Sequence, residues 1–364
     1  MKLISETVRG FRNIENAEFY PSTAVTVVCG ENGQGKTNLL ESIFLLTGAK
    51  SFRHVKDREL PDKDGDGRAE IDSVFFAEGR RQEIRLSVGS KGRTASLNRG
   101  SEKKASELAG KFCCVIFSPE HLDLVKGTPA ERRRFIDTAL CQLSAGYLSK
   151  LRDYMRLLAQ KNALLKDARN ISAAYDMLDV YDERMADAAA YITAYRRRFA
   201  AEVEEEAREA YSSVSGNRET FGINYLSTAG DDDDPSEIAR MISSARGDDI
   251  RLGYSTVGPH RDDLELLLDG DPARVYGSQG QQRTAVLALK LAEAGLFRNK
   301  LGEEPVLLLD DVLSELDGSR QEFLLRRLGG SQAIITCCDP NFIERETDAD
   351  VWRMDSGVLT RAGD

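Results

Sequence analysis

Gly30-Glu31-Asn32-Gly33-Gln34-Gly35-Lys36-Thr37 decides the reading of this chain. The stretch matches G-x-x-x-x-G-K-[ST]. A β-branched run at 24–28 precedes it, and the helically spaced segment TNLLESIFLLTG follows from Thr37. The glycines let the backbone curl until successive N–H groups point inward at a triphosphate, and the following helix adds its positive end. Lys36 suits neutralisation of β- and γ-phosphate oxygens, and the Thr37 hydroxyl suits Mg²⁺. A chance glycine turn would lack both flanks.

Such a loop needs an acid at the end of a second buried strand. Val306-Leu307-Leu308-Leu309-Asp310-Asp311 supplies it, because four aliphatics in a row predict a strand buried on both faces. Asp310 is the candidate to hold magnesium through water, and Asp311 the candidate general base or water-orienting carboxylate. A solvated turn explains an acid pair in isolation, but not one that ends an apolar strand downstream of a matched loop.

Two further segments resemble parts of the ABC ATPases. Ser278-Gln279-Gly280-Gln281-Gln282-Arg283 lies 32 residues before Asp310, opens a helical segment, and is similar to the S-G-G-Q signature through Ser278, Gly280 and Gln282. Ser314-Glu315-Leu316-Asp317 resembles the D-loop through Ser314 and Asp317. In that family the signature caps the γ-phosphate bound by a partner subunit. The resemblance therefore implies a homodimer that ATP closes and hydrolysis opens.

Composition sets the frame. With 41% hydrophobic and 30% charged residues the chain reads as an ordinary globular protein. No run approaches the roughly eighteen apolar residues of a membrane span, and the N-terminus carries no signal-peptide pattern, so a cytoplasmic, membrane-free protein is expected. The cysteines have neither C-x-x-C spacing nor neighbouring histidines and read as reduced, buried small hydrophobes. A net charge of −10 does not exclude a nucleic-acid partner, since phosphates respond to local patches. Residues 80–111 carry a basic excess, and Lys91, Arg93, Arg99, Lys103 and Lys104 are the candidate phosphate-backbone contacts. No aromatics interleave them, so base stacking is not expected. The run 231–234 reads as a solvated acidic loop.

The expected fold class is α/β: an ATPase head with a mixed sheet, helices and an inserted helical arm. Strand signals dominate early, with a three-strand meander at 71–99. From about 130 to 211 the sequence lacks proline and follows helical spacing, which predicts two or more long antiparallel helices. The expected division is head 1–125, arm 126–215 and head 216–364. The arginine triplets at 132–134 and 196–198 read as solvated helix faces, and His260 as a structural, hydrogen-bonded histidine.

Across nearly its whole length the chain resembles the RecF family of SMC-like ABC ATPases. Phe11-Arg12-Asn13, Lys50-Ser51-Phe52-Arg53, Phe117-Ser118-Pro119-Glu120, GTPAERRRFID from Gly127 and Gly258-Pro259-His260-Arg261-Asp262-Asp263 carry the likeness. It implies an ATP- and Mg²⁺-dependent dimer that binds duplex and gapped DNA and acts with RecR and RecO to place RecA on single-stranded gaps. It also implies that Arg12 touches the nucleotide, and that Arg53 lies near phosphates or DNA. Departures stand beside it. The acid strand ends Asp310-Asp311 where most ABC ATPases have Asp-Glu, so slow turnover is expected. Thr336 sits at the switch-histidine position, and no Q-loop glutamine is visible around 118–121. The alternative, a transporter's nucleotide-binding subunit, is disfavoured by about 240 residues between phosphate loop and signature.

Overall fold

The computed structural model describes every residue except 54, 168–172, 231–232 and 364. Asp231 and Asp232, half of the acidic run, lie outside the described residues.

The first part of the chain runs β1 (Lys2–Phe11), β2 (Ile14–Phe19), β3 (Val25–Cys29), α1 (Lys36–Leu45), β4 (Ala69–Ala77), β5 (Arg80–Gly89), β6 (Gly92–Leu97), β7 (Lys103–Lys104) and β8 (Cys114–Phe117). Helices follow: α2 (Pro129–Leu143), α3 (Ala145–Asp167) and α4 (Ala173–Ser215). Then come β9 (Phe221–Leu226), α5 (Pro235–Ser244), α6 (Arg246–Leu252), β10 (Asp263–Leu268), β11 (Asp271–Pro272), α7 (Ala273–Tyr276) and α8 (Gln279–Leu301). The chain ends with β12 (Val306–Asp310), α9 (Gly318–Arg327), β13 (Ala333–Cys337), α10 (Asn341–Glu346), β14 (Asp350–Asp355) and β15 (Val358–Arg361).

The described strands form three sheets. One is antiparallel, ordered β2-β1-β4-β5-β6-β7, and contains the meander. Its strands alternate buried and exposed residues, as β4 shows along AEIDSVFFA. The second, ordered β15-β14-β3-β13-β12-β8, is parallel except at the β15 edge. A small third sheet, β11-β10-β9, completes the set.

The parallel sheet divides the interior into two cores, and strand parity assigns residues between them. Val306 and Leu308 face a core with α1 and the antiparallel sheet. Leu307 and Leu309 face the other, built with α2, α3, α4 and α8. All five residues of β12 are buried, which explains its unbroken apolar run. Asp310 inherits the parity of Leu308 and so points toward α1.

The helices at 129–215 form a continuous layer with the head. α4 packs along α8, α5 and β9, and the second core draws residues from all three expected segments. The arginine triplets are a correction: they are not simply solvated faces. Arg132 forks onto Asp263 at 2.7 and 2.9 Å, and Arg133 donates to the Asp262 carbonyl. Arg196, fully buried, forks onto Asp137 and donates to the Pro259 carbonyl. Buried arginines need such partners, since an unpaired charge there costs several kcal/mol, about 3–5. His260 is structural, bonded to Tyr154 Oη at 2.7 Å and the Ser255 carbonyl at 2.9 Å. Burial pushes its pKa down to about 4, so the ring is neutral.

Candidate functional site

The loop between β3 and α1 has the backbone its glycines were selected for. Gly33 and Gly35 have φ of 83° and 117°, a region costly for any residue with a Cβ. The loop is held from two sides. Asn13 Nδ2 donates to the Gln34 carbonyl at 3.0 Å. From the β14–β15 turn, Gly357 N donates to the same carbonyl at 2.8 Å and Ser356 N to Gln34 Oε1 at 2.6 Å. Glu31 and Asn32 are exposed at the tip.

Lys36 is buried, and its ammonium donates to the carbonyls of Gly30 at 2.5 Å and Glu31 at 3.0 Å. Thr37 Oγ1 donates to Asp310 Oδ1 at 2.8 Å. Thr336 Oγ1 donates to the same oxygen at 3.0 Å. Burial raises the Asp310 carboxyl above the usual aspartate range, and the Thr37 and Thr336 hydroxyls oppose that shift. Asp311 follows in the left-handed region at φ 50°. Its N–H is tied to Thr336, to the carbonyl at 3.2 Å and the hydroxyl at 2.9 Å. A non-glycine residue in that conformation costs about 1 kcal/mol or more, typical of functional sites.

Thr336 occupies the switch-histidine position. It is 0% exposed, and its hydroxyl bridges Asp310 and the Asp311 backbone, beneath the carboxylates rather than facing the loop. The exposed residue past β13 is Cys338, whose thiol donates to Asn32 Oδ1 at 3.3 Å and accepts from Lys36 Nζ at 3.7 Å. The other cysteines are buried, as expected. Composition had grouped Cys338 with them, because it cannot show where a strand ends.

Arg12 does not reach the loop through any described hydrogen bond. Its guanidinium forks onto buried Glu41 at 2.9 and 3.0 Å and donates to the Glu59 carbonyl. The contact from that hairpin is made by neighbouring Asn13, a role sequence reading missed. Arg53 belongs to the same group: Nη1 donates to Asn38 Oδ1 at 2.7 Å and lies 3.7 Å from Glu41.

Ser278 caps α8 with a reciprocal box. Its Oγ accepts from Gln281 N at 3.3 Å, and its own N–H donates to Gln281 Oε1 at 2.6 Å. Gln282 is a correction. It is buried, and Nε2 donates to the Ala273 and Gly277 carbonyls at 3.0 and 2.9 Å, so it braces the turn before the signature. Arg320 bonds the Gly280 carbonyl, the Thr284 hydroxyl and Asp317, the α9 cap. Arg283 bonds the Glu315 carbonyl at 2.6 Å. Signature and D-loop thus form one clamped unit. Ser314 is exposed and donates to the Asp311 carbonyl at 2.7 Å.

The candidate DNA residues do not form one cluster. Arg93 is a correction: its side chain is only 7% exposed, paired with Asp57 at 3.1 Å and bonded to the Ala49 carbonyl at 2.6 Å. Lys91 and Arg99 flank β6 at opposite ends, roughly 20 Å apart at strand rise. Lys103 and Lys104 are exposed on the edge strand β7. Sequence reading also missed a cleft of about 1340 Å³ between the loop after α1 and α2–α3, where Lys50, Lys56, Arg152 and Arg156 stand exposed.

Comparison with known proteins agrees with this geometry. The family described as RecF/RecN/SMC N terminal domain matches residues 2–358. A relative named DNA replication and repair protein RecF from Agathobacter rectalis is 41% identical over 340 residues, covering 93% of this chain and 92% of that protein. The RecF of Bacillus subtilis is 37% identical, covering 96% and 97%. A solved structure of recombination mediator protein RecF with ATP, in the RecFOR pathway, superposes with TM-score 0.90 at 30% identity, covering 100% and 98%. The Smc head domain of Pyrococcus furiosus shares the fold alone, with TM-score 0.55 at 16% identity. No described helix is long and apolar enough to cross a membrane. With a mixed α/β ABC-type head and full-length relatives of that name, this chain belongs to the RecF family of DNA replication and repair proteins, SMC-like ATP-binding proteins.

Proposed function

We propose that this chain is an ATP-dependent DNA clamp of recombinational repair and replication-fork maintenance, closing as a homodimer on nucleotide and opening on slow hydrolysis. The observation that carries the reading is a site in two halves. Lys36, Thr37 and Asp310 converge at the loop, whereas no described hydrogen bond joins Ser278 or Gly280 to it. Positive-φ glycines, a buried ammonium resting on loop carbonyls and a hydroxyl–carboxylate pair fit magnesium-bound ATP.

Mg-ATP bound there would supply the charge that links the halves. Lys36 exchanges its loop carbonyls for phosphate oxygens, and Thr37 and Asp310 hold the cation. Asp311 orients and deprotonates water, but its side chain is one methylene shorter than glutamate, so turnover is slow. The Ser278 hydroxyl keeps its proton free to donate, the Gly280 N–H lies in the first turn of α8 where no intrahelical carbonyl reaches it, and that helix end is positive. All three suit a partner's γ-phosphate, beside Ser314 and Asp317. Asn13 replaces Arg12 as the residue supporting the loop.

Lys91, Arg99, Lys103 and Lys104, with the exposed Lys50, Lys56, Arg152 and Arg156 of the cleft, are assigned to duplex and gapped DNA through phosphate contacts. RecR, with RecO and RecA, completes the pathway; a cytoplasmic location and the division into head 1–125, arm 126–215 and head 216–364 complete the proposal. Sedimentation with and without a non-hydrolysable ATP analogue, and ATPase rates with and without gapped duplex, test it. Identical monomer sedimentation would end the shared-site reading. A rate indifferent to gapped duplex would end the DNA-dependent one.

A further inference from the structure

Immediately before Ser278, the chain displays two apolar side chains to solvent. Tyr276 is 72% exposed and Val275 61%, more than any other large hydrophobic side chain among the described residues. Arg274 beside them is exposed and makes no ion pair among the described residues. Two neighbouring exposed apolar side chains next to the signature make this turn a candidate contact surface.

The turn is rigid. Ala273 is fully buried and anchors it, and Gly277 N donates back to the Ala273 carbonyl at 3.0 Å. The buried Gln282 amide ties both ends of the turn to α8. A Cβ at Gly277 would lie 2.6 Å from the Ala273 carbonyl oxygen, so the path admits only glycine. The backbone that carries Tyr276 is therefore set before any partner arrives, and binding need order only the side chain. It stands two residues from the Ser278 hydroxyl, on the unit that Arg320 and Arg283 clamp to the D-loop.

We propose that Arg274 and Tyr276 act in trans on the nucleotide held by a second copy of this chain. Tyr276 offers a ring face to the purine, and Arg274 a guanidinium to the phosphates and to exposed Glu31 at the partner's loop tip. The occupant follows from continuity with the signature, from charge complementarity between Arg274 and an acidic, triphosphate-bearing loop, and from the pairing preference of a flat ring. This inference rests on the shared-site reading above. It gives the exposed turn a nucleotide-recognition role, where the signature alone would recognise only phosphate.

The test uses full-length Tyr276→Ala and Tyr276→Phe with a non-hydrolysable ATP analogue and magnesium. The alanine variant should dimerise about ten- to a hundredfold more weakly by sedimentation, while the phenylalanine variant retains wild-type association. Nucleotide affinity of dilute monomer should be the same for all three, since the residue does not serve its own loop. In mixed dimers where one subunit carries Lys36→Ala, 8-azido-ATP should label the Tyr276 peptide of that Lys36→Ala subunit. If wild type dimerises and the alanine variant matches it, the trans role is overturned and the shared site survives. If wild type stays monomeric, both are overturned.

Discussion

The Thr37 hydroxyl donates to the Asp310 carboxylate at 2.8 Å across 273 positions of sequence. That bond joins the start of α1 to the end of β12 and makes one site of two distant motifs. In the proposed function magnesium would displace it, and only the ionised carboxylate would take the cation. Because burial raises the Asp310 carboxyl above the ordinary range, magnesium-dependent nucleotide affinity should fall as pH drops, at a higher pH than an exposed aspartate requires. Asp310→Asn should abolish both the magnesium gain and its pH dependence, measured by calorimetric titration from about pH 5 to 8.

Lys36→Met should abolish nucleotide binding, because the replacement cannot neutralise phosphate in a buried position. Asp311→Asn should still bind ATP but hydrolyse it about a hundredfold more slowly or worse. It should accumulate an ATP-bound dimer that dissociates from DNA more slowly. A failure of this variant to dimerise would remove the role given to Asp311.

Cys338 is an exposed thiol touching Asn32 and Lys36. N-ethylmaleimide should therefore label it first among the cysteines and block nucleotide binding by steric exclusion. Saturating Mg-ATP should slow the labelling, and Cys338→Ser should bind nucleotide normally after treatment. Mass spectrometry of the modified peptide checks the assignment.

Arg93 and its basic neighbours should separate cleanly. Arg93→Ala removes the buried guanidinium from Asp57 and the Ala49 carbonyl and should cost about 1.5–3 kcal/mol of stability, visible as a lowered melting temperature. Replacing Lys91, Arg99, Lys103 and Lys104 together by alanine should leave melting nearly unchanged, since exposed pairs such as Arg99–Glu83 contribute about 0–1 kcal/mol. The same variant should weaken DNA binding and flatten its salt dependence.

Glu6 on β1 is fully buried, and Ser42 of α1 donates to it at 3.1 Å. Burial outweighs hydrogen bonds from Ser42 and Ser73 and pushes its pKa from 4.5 up to about 8. The folded state thus holds a proton that the unfolded chain releases above the ordinary carboxyl range. Stability contributed by this group falls as pH rises from about 4.5 to 8, at about 1.4 kcal/mol per unit at most. Glu6→Gln should remove that slope and be more stable than wild type at pH 8 in denaturant titration.

The nucleotide half-site was largely legible. G-x-x-x-x-G-K-T and LLLDD are local patterns whose chemistry follows from residue type and flanks, and alternation along 71–99 predicted the meander. Local pattern failed where partners are remote. Arg132 and Arg196 look like solvated helix positions until Asp263 and Asp137 are brought beside them. Gln282 looks like a ligand residue until the turn before Ser278 folds onto it. The 14–19 and 350–361 strands went unpredicted, because such short segments have little periodicity of their own. Yet β14 lies directly beside β3 and its turn holds Gln34.

By itself the sequence determined the family, the phosphate loop and the acid strand, because each depends on residues within one or two turns of one another. Tertiary structure alone decided which neighbours serve the site. Asn13 rather than Arg12 supports the loop, Cys338 rather than Thr336 faces it, and Arg93 is withdrawn from the surface. The reason is physical: strand parity sends side chains into one of two cores, and a polar group's role is set by the partner that satisfies it once water is gone.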